Sequence, residues 1–454
     1  MHPLIRHARR PAPMTSGSIP GHLIRYAIPA VLGNLFQVTY NTVDSIVVGR
    51  FAGAGALAAV GVANPLMNIA MFFIIGMGIG ASVLMSEFYG AGDLRSLKRE
   101  LSTALLTGLG LSLAISLLFL LLVRPLLSLC NTPAEIFADT SAYLRIVAGG
   151  FLFTGLYNLL AAALKAIGDT RTPLLCLVAG SLCNVALDLW FVGGLGMGVQ
   201  GAAWATVLSQ ALSAALCALL IFLNAEPLRL SRRDICIEKS LLRRTVGYSY
   251  ASALQQAGVY VGKLLVQSLV NPLGVSAIAA FNAVNRIDDY ALIVERDIAS
   301  GIMVMTAQNR GAKQPDRMLG GLRVGLVLES IYGAVVSVAV FVLAKPLMEL
   351  FVGAQETEVA ALGVRYLHLM GFFYFMPGIT NGLQGYMRGI GKLSLTMYVT
   401  YAQMLTRALC TWLLIGRMGM DAVPLACVAG WVVMLVWEIG LIVHWKKNGR
   451  LLTA

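Results

Sequence analysis

Between Leu101 and Val123 the chain runs for 23 residues without a charged side chain. As an α-helix, rising about 1.5 Å per residue, such a run is long enough to cross a hydrocarbon core roughly 30 Å thick. Similar runs recur, and they place twelve spans at 24–49, 56–88, 101–123, 140–164, 172–192, 199–223, 246–270, 276–309, 320–343, 360–387, 393–415 and 423–444. Over the 454 residues, 58% are apolar and only 12% charged. A water-soluble domain of this length would carry far more charge, so the chain is read as an all-α integral membrane protein whose solvent is the lipid bilayer.

A net charge of +12 would ordinarily invite a nucleic acid. The placement of the charge argues otherwise. Lys and Arg gather in the N-terminal segment, in alternate connections (93–100, 165–171, 226–244, 310–323 and 388–392) and in the C-terminal tail. The intervening connections carry only Arg50, Arg124, Lys345 and Arg417. By the positive-inside rule both termini face the cytoplasm, the number of spans is even, and the protein sits in the inner cell membrane. The first 23 residues contain no apolar stretch ending in a small-residue cleavage site, and they read as a retained cytoplasmic arm. Seven cysteines lie mostly in apolar helices without a CxxC spacing, so helix packing is expected of them rather than a disulfide framework or a structural metal.

The two halves of the chain resemble each other at a shift of 221 to 223 residues. Ala56-Leu57-Ala58-Ala59 with Asn64 matches Ala277-Ile278-Ala279-Ala280 with Asn285. Further along, Pro125-Leu126 matches Pro346-Leu347, Tyr143-Leu144 matches Tyr366-Leu367, and Ile167-Gly168 matches Ile390-Gly391. Six spans per half preserve orientation, so the halves are parallel repeats about an axis along the membrane normal, as in two-lobed alternating-access transporters. The expected organisation is an N-terminal arm (1–23), an N-lobe (24–225), a cytoplasmic linker (226–244), a C-lobe (245–445) and a tail (446–454), with a central cleft between two six-helix bundles.

An ionisable group inside a bilayer is costly unless paired or hydrated, so each is a functional candidate. The first half offers Asp44 on span 1 and Asp188 on span 5, both in the outer half of the membrane. Asn184 precedes Asp188 by one helical turn and shares its face, and Thr206 enters span 6 at similar depth. Two carboxylates, an amide oxygen and a hydroxyl suit a hard monovalent cation such as sodium. They equally suit a proton, taken up by the two carboxyls as a coupled unit. The plainer alternative is that each Asp pairs with a neighbouring backbone or hydroxyl group. Pro29 removes a hydrogen bond from span 1 below Asp44, which allows that helix to bend. Gln37, Tyr40 and Asn41 on span 1, with Tyr143 and Asn158 on span 4, either line a substrate cleft or make hydrogen bonds between helices.

The second half does not repeat the acidic cluster: Arg407 and Thr411 stand where Asn184 and Asp188 would, and Lys263 lies near the counterpart of Asp44. Span 8 carries Arg286, Asp288, Asp289, Glu295, Arg296 and Asp297. On one continuous helix, Asp289 aligns with Arg296 and Asp297 with Arg286, which allows partial self-neutralisation. Asp288 and Glu295 share another face and are expected to meet Lys263 or Arg407 in a C-lobe charge network, or else to face water.

From about Tyr26 to Trp445 the chain resembles the multidrug and toxic compound extrusion (MATE) family. The residues that carry the likeness are Ile28-Pro29, Tyr40-Asn41-Thr42-Val43-Asp44, Asn184 with Asp188, Gly201-Ala202-Ala203-Trp204-Ala205-Thr206 and Gln308-Asn309-Arg310-Gly311-Ala312. The first-lobe cluster is more similar to the DinF-like branch than to the NorM-like one. The resemblance implies twelve helices in two bundles, no enzymatic activity, and export of amphipathic, often cationic, drugs in exchange for H+ or Na+. It also implies Asp44, Asn184, Asp188 and Thr206 as the ion site and Pro29 as the bend. Glu295-Arg296-Asp297 departs from the family pattern, and a mixed-charge cleft admits zwitterions or anions. The cycle would be antiport, with cation uptake at Asp44 and Asp188 promoting drug release. No resident cofactor and no stable partner chain are expected.

Two other functions compete. A flippase for a lipid-linked saccharide would use Lys263 and Arg407 on a diphosphate, but twelve spans leave no additional helix pair for a lipid groove and the acidic first lobe repels an anion. An intramembrane prenyl-transfer enzyme would hold magnesium at Asp288-Asp289, yet no second aspartate-rich motif is present.

Overall fold

The computed structural model describes residues 13–353 and 355–447. Most of the expected N-terminal arm and most of the tail lie outside the described residues. Within them, fifteen α-helices follow one another and no strand occurs. In the first half they are α1 (Ile19–Val47), α2 (Gly53–Gly90), α3 (Leu94–Leu129), α4 (Ala134–Gly149), α5 (Phe151–Ala166), α6 (Arg171–Asp188) and α7 (Gly198–Asn224). The second half continues with α8 (Lys239–Val270), α9 (Val275–Ala291), α10 (Ile293–Gly311), α11 (Pro315–Val352), α12 (Thr357–Gly371), α13 (Phe375–Gly389), α14 (Leu393–Met418) and α15 (Ala422–Lys447).

Three pairs of helices make single spans with a break. The α4–α5 pair bends by 45° and the α12–α13 pair by 56°. The third, α9–α10, is interrupted at Leu292. Counting each pair once gives the expected twelve crossings. The 72 residues of Ile19–Gly90 and the 53 of Leu393–Trp445 are each long enough for two of them.

Backbone conformation repeats along with the sequence. Five left-handed turns of the first half each have a counterpart: Gly53 with Gly274, Gly92 with Lys313, Asn131 with Gly353, Gly168 with Gly391, and Gly196 with Gly419. Their separations are 221, 221, 222, 223 and 223 residues, the same drift that the side chains show. A positive φ is inexpensive mainly for glycine and asparagine. Lys313 at φ 56° shows that the geometry of the connection has been retained where the residue has not.

The chain forms two compact units. One comprises Ile28–Ala253, and the other Met14–Ala27 together with the chain from Leu254 onward. The divisions fall within α1 and α8, and the segment 226–244 lies with the first unit. In the first unit the linker is fastened to α3: the Cys236 N–H donates to Ser102 Oγ at 2.9 Å and the Glu238 N–H to Thr103 Oγ1 at 3.1 Å. Its apolar interior is built from small and branched residues of α2, α3, α4, α5 and α7, with Phe119 and Phe151 edge to face at 5.6 Å. Gly76 and Gly80 let α2 lie directly against Ala253 and Ser249 of α8.

In the second unit the leader segment is held by its backbone. Gln308 Oε1 accepts from the Met14 N–H at 2.8 Å, and Arg317 donates to the carbonyls of Met14, Ser16 and Gly17. Asn309 Nδ2 also donates to the Met14 carbonyl, at 3.2 Å. The Gln308-Asn309 motif therefore serves to grip the chain ahead of α1.

Candidate functional site

The first unit brings Asp44 and Asp188 together. Asp44 stands near the end of α1 and Asp188 at the last residue of α6, and each helix then widens into a π-helical stretch, Val48–Ala52 and Leu189–Gly194. Such widened turns recur at functional sites. The two carboxyls adjoin, close enough for either to donate to the other once protonated.

Asn184, one turn before Asp188, is 1% exposed and Asp188 is fully buried. Both side-chain polar atoms of Asn184, both oxygens of Asp188 and Oδ1 of Asp44 have no hydrogen-bond partner. Buried polar atoms are normally satisfied, because each one left alone costs roughly 1–3 kcal/mol. A row of them on one helix face is an arrangement built to take something in. The donor set is oxygen throughout, apart from the Asn184 amide nitrogen, which fits a proton or a hard monovalent cation carried as cargo.

Two tyrosines complete the surroundings. Tyr40, one turn before Asp44, and buried Tyr143 on α4 both lie within electrostatic reach of Asp44 and Asp188. The sequence singled them out as cleft residues; their hydroxyls feel the charge of both carboxyls. Thr206 is on α7, which packs along α6, and donates its hydroxyl proton to the Ala202 carbonyl at 2.9 Å, leaving its lone pairs available. Asn158 donates to the Thr154 carbonyl at 2.8 Å within its own helix, while Gln37 and Asn41 are exposed on α1. Pro29 lies inside α1, which runs through it unbroken, two residues beyond the division between the units.

The C-lobe charge network differs from expectation. Lys263 pairs with Asp289, at 3.1 Å, and not with Asp288. Asp288 accepts a hydrogen bond from Tyr374 and feels Arg407 and Lys263 at longer range. Arg407, buried on α14, stands beside Tyr366 with its Nε unpartnered. Glu295 belongs to neither Lys263 nor Arg407. A one-residue interruption at Leu292 separates α9 from α10, although the Leu292 N–H still donates to the Asp288 carbonyl and the Arg296 N–H to the Leu292 carbonyl. Asp288 and Glu295 differ in the neighbours that other helices bring to them. Arg296 donates to the backbone carbonyls of Asp289 and Leu292 and not to the Asp289 side chain.

Three fully buried acids, Glu100, Glu329 and Glu438, were not singled out by sequence. For the two within spans, Glu329 and Glu438, the signal was present, since the cost of intramembrane charge applies to them as it does to Asp44. Glu100 accepts from Thr245 Oγ1 at 2.7 Å at the start of α3.

A polytopic helical membrane protein with an internal parallel repeat and a buried carboxylate pair in its first half is the class that this fold and site define. The MatE family model matches residues 29–190 and 251–413, one stretch in each half, and the chain belongs to that family. It is 28% identical over 381 residues to the probable multidrug resistance protein YpnP of Bacillus subtilis, covering 84% of both chains. It is 26% identical to an FAD transporter of Shewanella oneidensis, over 74% of this chain and 75% of the other. Its fold matches that of a MOP superfamily transporter from Pyrococcus furiosus with a TM-score of 0.89, at 21% identity, covering 95% and 98% of the two chains. The protein is a multi-pass membrane transporter.

Proposed function

We propose that this protein is a secondary active transporter that exports amphipathic, chiefly cationic, compounds in exchange for H+ or Na+, with the coupling cation bound by Asp44, Asn184, Asp188 and Thr206. The observation that carries the reading is the buried face of α6, where Asn184 and Asp188 present unpartnered polar atoms next to Asp44. A cation drives transport only if it binds the two arrangements of the lobes unequally. Placing the site where α1 and α6 each pass into a π-helical stretch ties occupancy to helix geometry, and Pro29 gives α1 a point at which to bend. The relatives named as multidrug resistance proteins support the substrate class.

A zwitterionic or anionic substrate is the second reading. Buried Arg407 beside Tyr366 and Asp288 favours it, and one relative is named for a flavin dinucleotide. The flippase and prenyl-transfer alternatives lose support, because Lys263 and Asp289 are spent on each other and Asp288 is engaged by Tyr374.

The test is purified protein in proteoliposomes, scored for efflux of a fluorescent cationic dye under an imposed proton or sodium gradient, with Asp44→Asn and Asp188→Asn as controls. Gradient-driven efflux lost in both variants supports the proposal and identifies the ion. Efflux that persists at the wild-type rate in both would overturn the site. Wild-type protein that moves no dye under either gradient but flips a labelled lipid-linked sugar would return the flippase.

A further inference from the structure

The second unit contains another carboxyl pair, on helices that the proposed coupling site does not use. Glu295 on α10 and Glu329 on α11 are both fully buried, and the charge of one acts on the other. All four of their carboxyl oxygens lack a hydrogen-bond partner.

The pair lies where three helices pack closely. A Cβ at Gly378 of α13 would stand 3.4 Å from the Glu295 carboxyl and 3.2 Å from the Glu329 backbone carbonyl, so glycine lets α13 approach both acids. Asn381, almost one turn further along α13, sets its amide beside the Glu295 carboxyl. Tyr332 of α11 lies within reach of both acids but donates its hydroxyl to the Ala291 carbonyl at 2.9 Å.

Of the charges on the neighbouring elements, Arg296 acts on Glu295 at a distance, while it is exposed and donates its hydrogen bonds to the carbonyls of Leu292 and Asp289. Asp297 faces Tyr26, Asp288 and Asp289 are bound by Tyr374 and Lys263, and Arg388 of α13 sits with Gln384 and Glu438. With only the Asn381 amide and the more distant, exposed Arg296 to offset them, two carboxylates placed together away from water are costly to keep both charged. The oxygen-only chemistry of the pair excludes a soft metal, and two carboxylates are few for a divalent cage.

We propose that Glu295 and Glu329 form a second monovalent-cation site. It holds either a proton, donated by one carboxyl to an oxygen of the other, or a sodium ion among the carboxylate oxygens and the Asn381 amide oxygen. Glu295 stands in the first turn of α10, just after the interruption at Leu292, against α11 and α13. The proposal concerns binding, and it stands whether or not the Asp44–Asp188 reading does.

The experiment uses the full chain in lipid nanodiscs. Equilibrium binding of radioactive sodium and the infrared band of protonated carboxyls under alkaline titration are measured in the wild type, in Asp44→Asn, in Glu329→Gln, and in Asp44→Asn combined with Glu329→Gln or with Glu295→Gln. The expected result is a residual sodium signal, or a component of the carboxyl band, in Asp44→Asn that both combinations remove, leaving only the band of the other buried acids Asp188, Glu100 and Glu438. Residual sodium identifies sodium as the ligand, and a residual carboxyl band without sodium identifies the proton. A residual signal untouched by either glutamine, or none at all in Asp44→Asn with both glutamates intact, overturns the site. Should the glutamine variants fail to fold, the second of these outcomes still decides. If Asp44→Asn changes nothing while Glu329→Gln alone removes the signal, the first-unit site fails and this one stands.

Discussion

Replacing Gly80 by alanine should destabilise the first unit although alanine is the better helix former. A Cβ on Gly80 would lie 2.4 Å from Ser249 Oγ and 2.6 Å from the Ser249 backbone nitrogen. One turn earlier, a Cβ on Gly76 would lie 2.8 Å from both Cβ and N of Ala253. Ordinary contact begins near 3.4 Å, so α2 and α8 must separate by something under 1 Å. A gap of that size forfeits about a quarter to a half of the dispersion well along the seam, and overpacking of this kind costs about 1–3 kcal/mol. Against this stands a propensity gain of about 0.5–1 kcal/mol.

Gly61, in the same helix, has no atom within 4 Å of its Cβ position, so Gly61→Ala collects the gain without the clash. The propensity gain is common to both, so the two variants should differ by the clash, roughly 1–3 kcal/mol, or on the order of 2–6 °C in apparent Tm. The assay is thermal unfolding of purified protein in one detergent at one heating rate, with Gly76→Ala expected to follow Gly80→Ala. The reasoning is refuted if Gly80→Ala melts at or above Gly61→Ala.

Three further outcomes follow from local geometry. Asp93 caps α3, accepting from the Ser96 N–H at 3.0 Å, and the Ser96 hydroxyl and backbone hold its carboxyl below the usual range. Because the folded value is depressed, the capping contribution of about 1 kcal/mol is present above about pH 4 and is lost as pH falls further. Asp93→Ala should therefore lower Tm at neutral pH and make little difference in acid. Arg317→Ala removes the donors to the Met14, Ser16 and Gly17 carbonyls. Hydrogen exchange and proteolysis should then rise around residues 14–18 while the rest of the second unit keeps its protection. The Lys263–Asp289 pair is 41% and 47% exposed, so a double-mutant cycle on it should return under about 1 kcal/mol. A cycle on buried Tyr374 and Asp288 should exceed it, at roughly 1.5–3 kcal/mol.

Much of this molecule can be read along the chain. Apolar runs long enough to cross a bilayer, separated by alternately basic connections, leave little choice but a bundle of about twelve spans. The repeat offset of 221 to 223 residues in the side chains reappears in the backbone at Gly53 and Gly274, and again at Gly196 and Gly419. Asn184 and Asp188 share a face because residues four apart on a helix must, and that local rule held because α6 is unbroken between them.

Local rules reached their limit wherever a helix was not continuous or a partner lay on another helix. Asp288 and Glu295 stand a helical repeat of seven residues apart, yet one meets Tyr374 and the other lies near Glu329, partners that other helices supply. Tyr143 is 45 residues from Asp188 and 99 from Asp44 by their numbers, so its place with them is a matter of how α4 is rotated against α1 and α6. Periodicity and charge, which act over one or two turns, determined the elements, their number and the repeat. The meetings of Asp44 with Asp188, Glu295 with Glu329, and Met14 with Arg317 were decided by the depth and rotation at which packed helices lock, and side-chain volumes distributed over the whole unit set those quantities.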